Sequence, residues 1–159
     1  MCRRFCVGVS CESGIWATES LDAHSGAINA NYKTSIAVDS EGSVHIAYSH
    51  DYADEDLEYA TNATGSWVTT ALDTAGAVGY DCEIAVGSDG VIHIVYVEHA
   101  DDTDFIKYAT DRNGVWETGF LSGKGTGYIS MTIDSLNNLH LVFPNAEEWL
   151  TYMTTRDAL

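Results

Sequence analysis

Short apolar segments, each four to six residues long and separated by turn-forming residues, recur along the chain in three matching sets. Ser35-Ile36-Ala37-Val38-Asp39-Ser40 returns as Glu83-Ile84-Ala85-Val86-Gly87-Ser88 and as Ser130-Met131-Thr132-Ile133-Asp134-Ser135. His45-Ile46-Ala47-Tyr48 returns as His93-Ile94-Val95-Tyr96 and His140-Leu141-Val142-Phe143. Leu57-Glu58-Tyr59-Ala60-Thr61 returns as Ile106-Lys107-Tyr108-Ala109-Thr110 and Leu150-Thr151-Tyr152-Met153-Thr154, and Trp16, Trp67 and Trp116 each open a fourth segment. The repeat period is about 44 to 51 residues, and its four segments, A to D, have the length and β-branched, aromatic content of strands. Segment A is apolar on both faces, as a strand lying between two layers should be.

Four strands per repeat of this length predict an all-β fold of β-propeller type, with three four-stranded blades per chain. The turn between A and B reads Asp39-Ser40-Glu41-Gly42, Gly87-Ser88-Asp89-Gly90 and Asp134-Ser135-Leu136-Asn137. Gly and Asn share the capacity for positive φ, so a tight hairpin accounts for Asn137 in the place of Gly42 and Gly90. Asn113-Gly114 predicts a similar turn between C and D. Residues 1–13 read as an unstructured lead, or one carried over from cloning. Residues 14–159 read as one three-repeat domain, with repeats at about 14–64, 65–113 and 114–159.

The patterned region opens on a lone D segment, Trp16 to Leu21, and closes on an A-B-C set. Three blades fall below the ~4–8 of known propellers. A homodimer would supply six, each copy's D strand completing the last blade of the other. A fragment of a longer propeller is the rival arrangement.

The strings VDSEGSVHIAY, LEYAT and GSW resemble the repeats of bacterial propellers grouped with sialidase-like and lectin propellers, over residues 14 to 154. The sialidase Asp-box runs S-x-D-x-G-x-[ST]-W, whereas here Asp39 and Gly42 are spaced D-x-x-G and Gly87 replaces the Asp. The resemblance therefore reaches propeller hairpins and does not carry over a sialidase mechanism. Fucose-binding lectin propellers are similar in another respect, since some assemble six blades from shorter chains; fold alone does not fix function.

A net charge of −17, from 24 acidic residues against 7 Lys and Arg, argues against nucleic acid and against anionic membranes as partners. With no apolar run approaching the ~20 residues of a membrane span, the chain reads as soluble, with its compartment open. Cys2, Cys6, Cys11 and Cys82 lack zinc-site spacing. Strand alternation puts the B–C loops and the D–A connections on one rim. That rim gathers over half of the acidic residues, among them Asp54, Asp56, Asp102 and Asp104. Oxygen-rich loops can hold calcium, but neither acidic loop has EF-hand spacing, so no cofactor is required and a metal site stays open.

Tyr32, Tyr80 and Tyr128 precede segment A on that rim, and Trp149 stands beside Glu147 and Glu148. Rings among carboxylates suit sugar recognition. The expectation is a non-catalytic, lectin-like carbohydrate-binding module with ligand residues Tyr32, Tyr80, Tyr128, Asp54, Asp56, Asp102, Asp104 and Trp149. The alternatives are a ring that binds cationic protein partners or a glycoside-acting enzyme, for which no carboxylate pair stands out and no clustered arginines appear. His45, His93 and His140, one per repeat, read as buried structural groups donating to a nearby backbone carbonyl.

Overall fold

The computed structural model describes residues 17–19, 21, 33–49, 56–101, 103–125, 127–147 and 149–155, with backbone only at 122–125. Every regular element among them is a β-strand. Strands β1 (Ser35–Val38), β2 (Val44–Ser49), β3 (Leu57–Thr61) and β4 (Val68–Asp73) form one antiparallel sheet in chain order. A second four-stranded sheet follows from β5 (Ala77–Val86), β6 (Ile92–Ala100), β7 (Thr103–Thr110) and β8 (Glu117–Gly125). The third contains β9 (Ser130–Ile133), β10 (Leu139–Pro144) and β11 (Leu150–Thr154). No helix among the described residues is long and apolar enough to cross a membrane.

Three four-stranded sheets were expected; the third has three strands among the described residues. Its D counterpart in the sequence is Trp16 to Leu21, and residues 17–19 and 21 of that stretch carry no ladder. Glu19 lies instead beside the first sheet, where its Oε2 accepts the Trp67 indole N–H at 3.2 Å.

The hairpin turns follow the sequence closely. Gly42, Gly90 and Asn137 all have positive φ, at 88°, 81° and 62°, and so has Gly114, at 71°. Asp39 and Asp134 stabilise their own turns: Oδ1 of each accepts two backbone N–H groups, from Glu41 and Ser43 and from Leu136 and Asn138. The second repeat has Gly87 at this position for a local reason. A Cβ there would collide with Asp89 Oδ1 and lie 3.2 Å from Asn137 Oδ1. That Asn137 oxygen accepts Ser88 N at 2.8 Å and Ser88 Oγ at 2.9 Å, fastening the third sheet's turn to the second's.

The recurrent histidines are held differently from expectation. His45 Nδ1 lies 2.6 Å from the Tyr59 hydroxyl and its Nε2 lies 3.2 Å from Asp39 Oδ2. His140 repeats this with Tyr152 and Asp134, at 2.7 and 3.2 Å. A side-chain partner replaces the expected carbonyl because Tyr59 is the diagonal cross-strand neighbour of His45 on one face of the sheet, since Ala47 pairs with Tyr59 and His45 with Thr61. His93 keeps the tyrosine, Tyr108, but has lost the carboxylate to Gly87. Burial, with Arg112 adding to it, holds His93 below its ordinary pKa.

Two cores join the sheets face to face. Ala47, Leu57 and Tyr59 of the first sheet meet Val78, Ile84, Ile94 and Tyr96 of the second, and Trp116 packs on Tyr59 at 4.9 Å between centroids. Val95, Val97 and Ile106 on the opposite face of the second sheet meet Ile129, Leu141 and Phe143 of the third. Ile92 to Val97 are accordingly all buried, while β10 alternates. The leading strands lie together, with β5 touching both β1 and β9.

Asn137→Gly should keep the turn and lose only the Ser88 bonds, lowering stability by about 1 kcal/mol. Asn137→Ala should cost about 1–2 kcal/mol more, because a Cβ without a local hydrogen bond disfavours φ of 62°. Urea melts of the two variants check this ranking.

Candidate functional site

The rim of the second sheet is shaped by an irregularity in β5. Val78 pairs with Glu98 and Cys82 with Tyr96, so Gly79, Tyr80 and Asp81 together oppose Val97. Such bulges redirect side chains and concentrate near functional sites. Gly79 makes this one possible: its φ is +88°, and a Cβ would lie 3.2 Å from Ser49 Cβ and 3.3 Å from the Leu57 backbone. The bulge thus tucks against the first sheet while Tyr80 and Asp81 reach toward the third.

Asp81 sits where all three sheets meet. Its Oδ2 accepts the Ile129 N–H at 2.6 Å, and its Oδ1, buried and without a hydrogen bond, lies 3.5 Å from Lys33 Nζ. Lys33 Nζ also donates to Glu83 Oε1 at 2.6 Å and to the Ile129 carbonyl at 3.1 Å. Glu83 Oε2 accepts Ser35 Oγ at 3.0 Å. Burial pushes the Asp81 carboxyl above its ordinary value, against the pull of the Ile129 N–H and Lys33. Burial works against the charge on Lys33, but Glu83 and Asp81 outweigh it and raise the ammonium pKa. Cys82, buried beside these acids, has its thiol pushed up to about 12 and is no nucleophile.

A second polar group bridges the first two sheets. Lys107 Nζ lies 2.5 Å from Asp73 Oδ2 and 3.4 Å from Glu98 Oε2, and the Tyr96 hydroxyl donates to Asp73 Oδ2 at 2.7 Å. Burial would push Asp73 up, yet the Lys107 and Tyr96 donors prevail and hold its carboxyl below the ordinary value. Lys107 also stands over the Phe120 ring, at 5.2 Å.

The third group lies at the joint between the second and third sheets. His99 Nδ1 is 2.7 Å from Asp104 Oδ1, Asp104 Oδ2 accepts the Gly127 N–H at 3.1 Å, and the Tyr80 ring packs 5.9 Å from that of His99. The ladder places Ala77, His99, Asp104 and Gly125 side by side, so the B–C turn and the D–A connections share this end of the sheet. Of the expected ligand residues, Tyr80 and Asp104 are brought together through His99, and the exposed Tyr128 follows Gly127 directly. Trp149, also exposed, stands on the β10–β11 turn, where Asn145 Oδ1 accepts its N–H at 3.0 Å. Asp56 lies just before β3. Those two occupy the corresponding turns of the other sheets. Tyr32, Asp54 and Asp102 lie outside the described residues. Among the described residues no three His, Cys, Asp or Glu side chains are grouped to hold a metal ion.

No known protein family and no curated protein matches the sequence. The likeness that exists is one of fold. A fucose lectin from Kordia zhangzhouensis in complex with methyl-fucoside is similar, with a TM-score of 0.54 and 18% identity over 79% of this chain and 94% of the lectin chain. The two share a fold.

Residue reasoning had not assembled Lys33, His99 and Lys107 into the site. A signal for two of them exists. Lys33 aligns with Asp81 in the repeat, and Lys107 with Glu58 and Thr151, so scarce cations occupy positions that are acidic or neutral in the other copies.

Asp81 yields a prediction with a defined sign. The folded chain keeps the Asp81 proton to higher pH than the unfolded chain does, so Asp81 loses stability as pH rises from the ordinary value of 3.8 through its raised one. Asp73 and Asp134, both lowered, act oppositely and lose their stabilisation as pH falls below that value. Asp81→Asn should remove the first contribution and keep an acceptor for Ile129. Asp81→Ala should cost about 1–3 kcal/mol by leaving that N–H unsatisfied. Melts of both variants across acid pH separate the two effects.

Proposed function

We propose that the chain is a propeller-type carbohydrate-binding module whose ligands sit on the rim at the joints between sheets. The observation that carries this reading is the Tyr80–His99–Asp104 group with Tyr128 beside it. An aromatic surface can cover the C–H face of a sugar while neighbouring carboxylate and imidazole groups take its hydroxyls. Support comes from the shared fold with a lectin that holds methyl-fucoside. The meeting of β1, β5 and β9 and the repeat itself support sheets arranged as blades about those strands. In this reading two chains give six blades, and the segment 16–21 of each completes the third sheet of the other.

A second reading has its own observation. With a net charge of −17, an acidic rim would attract a cationic protein, and such capture would weaken steeply with salt.

A glycan array followed by calorimetry with methyl-fucoside tests the first reading. Tyr128→Ala and Asp104→Asn should each weaken sugar binding about tenfold or more, the loss of roughly one good contact. Tyr128→Ala should leave the melting temperature unchanged, since the side chain is exposed. An array without hits overturns the carbohydrate reading, and salt-sensitive capture of a basic protein would then favour the second.

A further inference from the structure

Among the described residues the three sheets leave two faces exposed, and both are of kinds that the repeat buries elsewhere. Ile36 in β1 occupies the repeat position of Ile84 in β5, yet Ile84 is 6% exposed and Ile36 65%. Val38 is exposed beside it. At the other end Leu150 matches Leu57 and Ile106, which are 0% and 1% exposed, but is itself 78% exposed. Tyr152 matches Tyr59 and rises from 6% to 58%. Val142 pairs directly with Tyr152 and shares its face. The free face of the first sheet is thus the kind that receives a neighbour, and that of the third is the kind that docks. They are complementary to each other, and neither is complementary to itself.

We propose that the free face of the third sheet in one copy packs on the free face of the first sheet in a second copy, and that two such joints close a pair. This deepens the blade reading above and rests on it. The occupant follows from the chain itself, because the joint would continue an interface that the chain already makes twice. Within the chain Trp116 packs on Tyr59; across the new joint Trp67 of the second copy takes the same place on Tyr152. The contact is head-to-tail, the kind that forms a ring only if its rotation closes. The joint also completes a rim site. The β10–β11 turn carrying Trp149 would stand beside the second copy's residues leading into β1, including Lys33, as the His99–Asp104 turn stands beside Gly127.

Sedimentation equilibrium of the sugar-free chain at micromolar concentration should give twice the 17.3 kDa chain mass. Leu150→Lys and Ile36→Lys should each give folded monomers with unaltered circular dichroism, because both side chains are exposed in one copy. Leu136→Lys, equally exposed but on a turn, should remain paired. Mixing the two monomeric variants restores one intact joint and should yield a mixed pair. Methyl-fucoside bound per chain should fall in the monomeric variants, and an unchanged number would refute the shared rim site. A monomeric parent chain, an open ladder, or an Ile36→Lys variant that still pairs would overturn the proposal. A pair that binds no glycan would leave the joint standing and count only against the carbohydrate reading.

Discussion

A sheet with apolar side chains on both faces needs a layer against each of them. Among the described residues only the second sheet has both, and the rest of the structure is organised by that constraint. Ile92 to Val97 are buried without interruption, because Ile94 and Tyr96 face the first sheet while Val95 and Val97 face the third. At about 1.5–3 kcal/mol for each large apolar side chain fully buried, these two joints dominate the favourable side of folding. Everything with chemical interest lies where a joint reaches the rim. There the packing must end, and polar groups from adjacent sheets come within reach of one another.

The joints are built from one repeat but are not copies of one another. The bulge at Gly79 to Asp81 lets β5 touch the first sheet with a glycine and the third with a carboxylate. Gly87 gives up the turn aspartate that Asp39 and Asp134 provide, and the space admits Asn137 from the next sheet. In each case a local feature of the hairpin is traded for a contact across a joint. The polar groups at the joints likewise differ from one to the next, with Tyr80, His99 and Asp104 at one of them and the buried Lys107, Asp73 and Tyr96 at another.

The strands, their order within each sheet and the positive-φ turns were legible because they depend on contacts local in sequence, repeated three times. That Asp104 and the residues before β9 lie at one end of the sheet was legible too, since strand alternation alone requires it. The histidine partners were not. Finding Tyr59 and Asp39 around His45 requires the register of three strands, which the repeat does not disclose. The Val78–Cys82 bulge escaped for a related reason: its glycine answers to Ser49 and Leu57, residues of a different sheet. Nothing in the sequence singled out Asp81, because its partners, Lys33 and Ile129, come from the repeats on either side.

The placement of the cations extends this reasoning. A chain with 24 acidic residues and 7 Lys and Arg has little positive charge to distribute. Yet Lys107 sits between Asp73 of the first sheet and Glu98 of the second. Lys33, ahead of the first sheet, bridges Asp81 and Glu83 of the second while reaching the Ile129 carbonyl beside the third. The buried pair of Lys107 contributes little net stability, since desolvation offsets most of the attraction, and the half-exposed Lys33 gains little because solvent screens it. What they supply is order. Without Lys107, Asp73 of the first sheet and Glu98 of the second would lack the cation they share, and without Lys33 so would Asp81 and Glu83 within the second sheet; like charges gathered in a poorly solvated site are unfavourable. Because Lys33 and Asp81 hold the same repeat position with opposite charge, the first sheet is matched electrostatically to the second. A cation spent at each of these contacts is also one that the rest of this acidic chain does without.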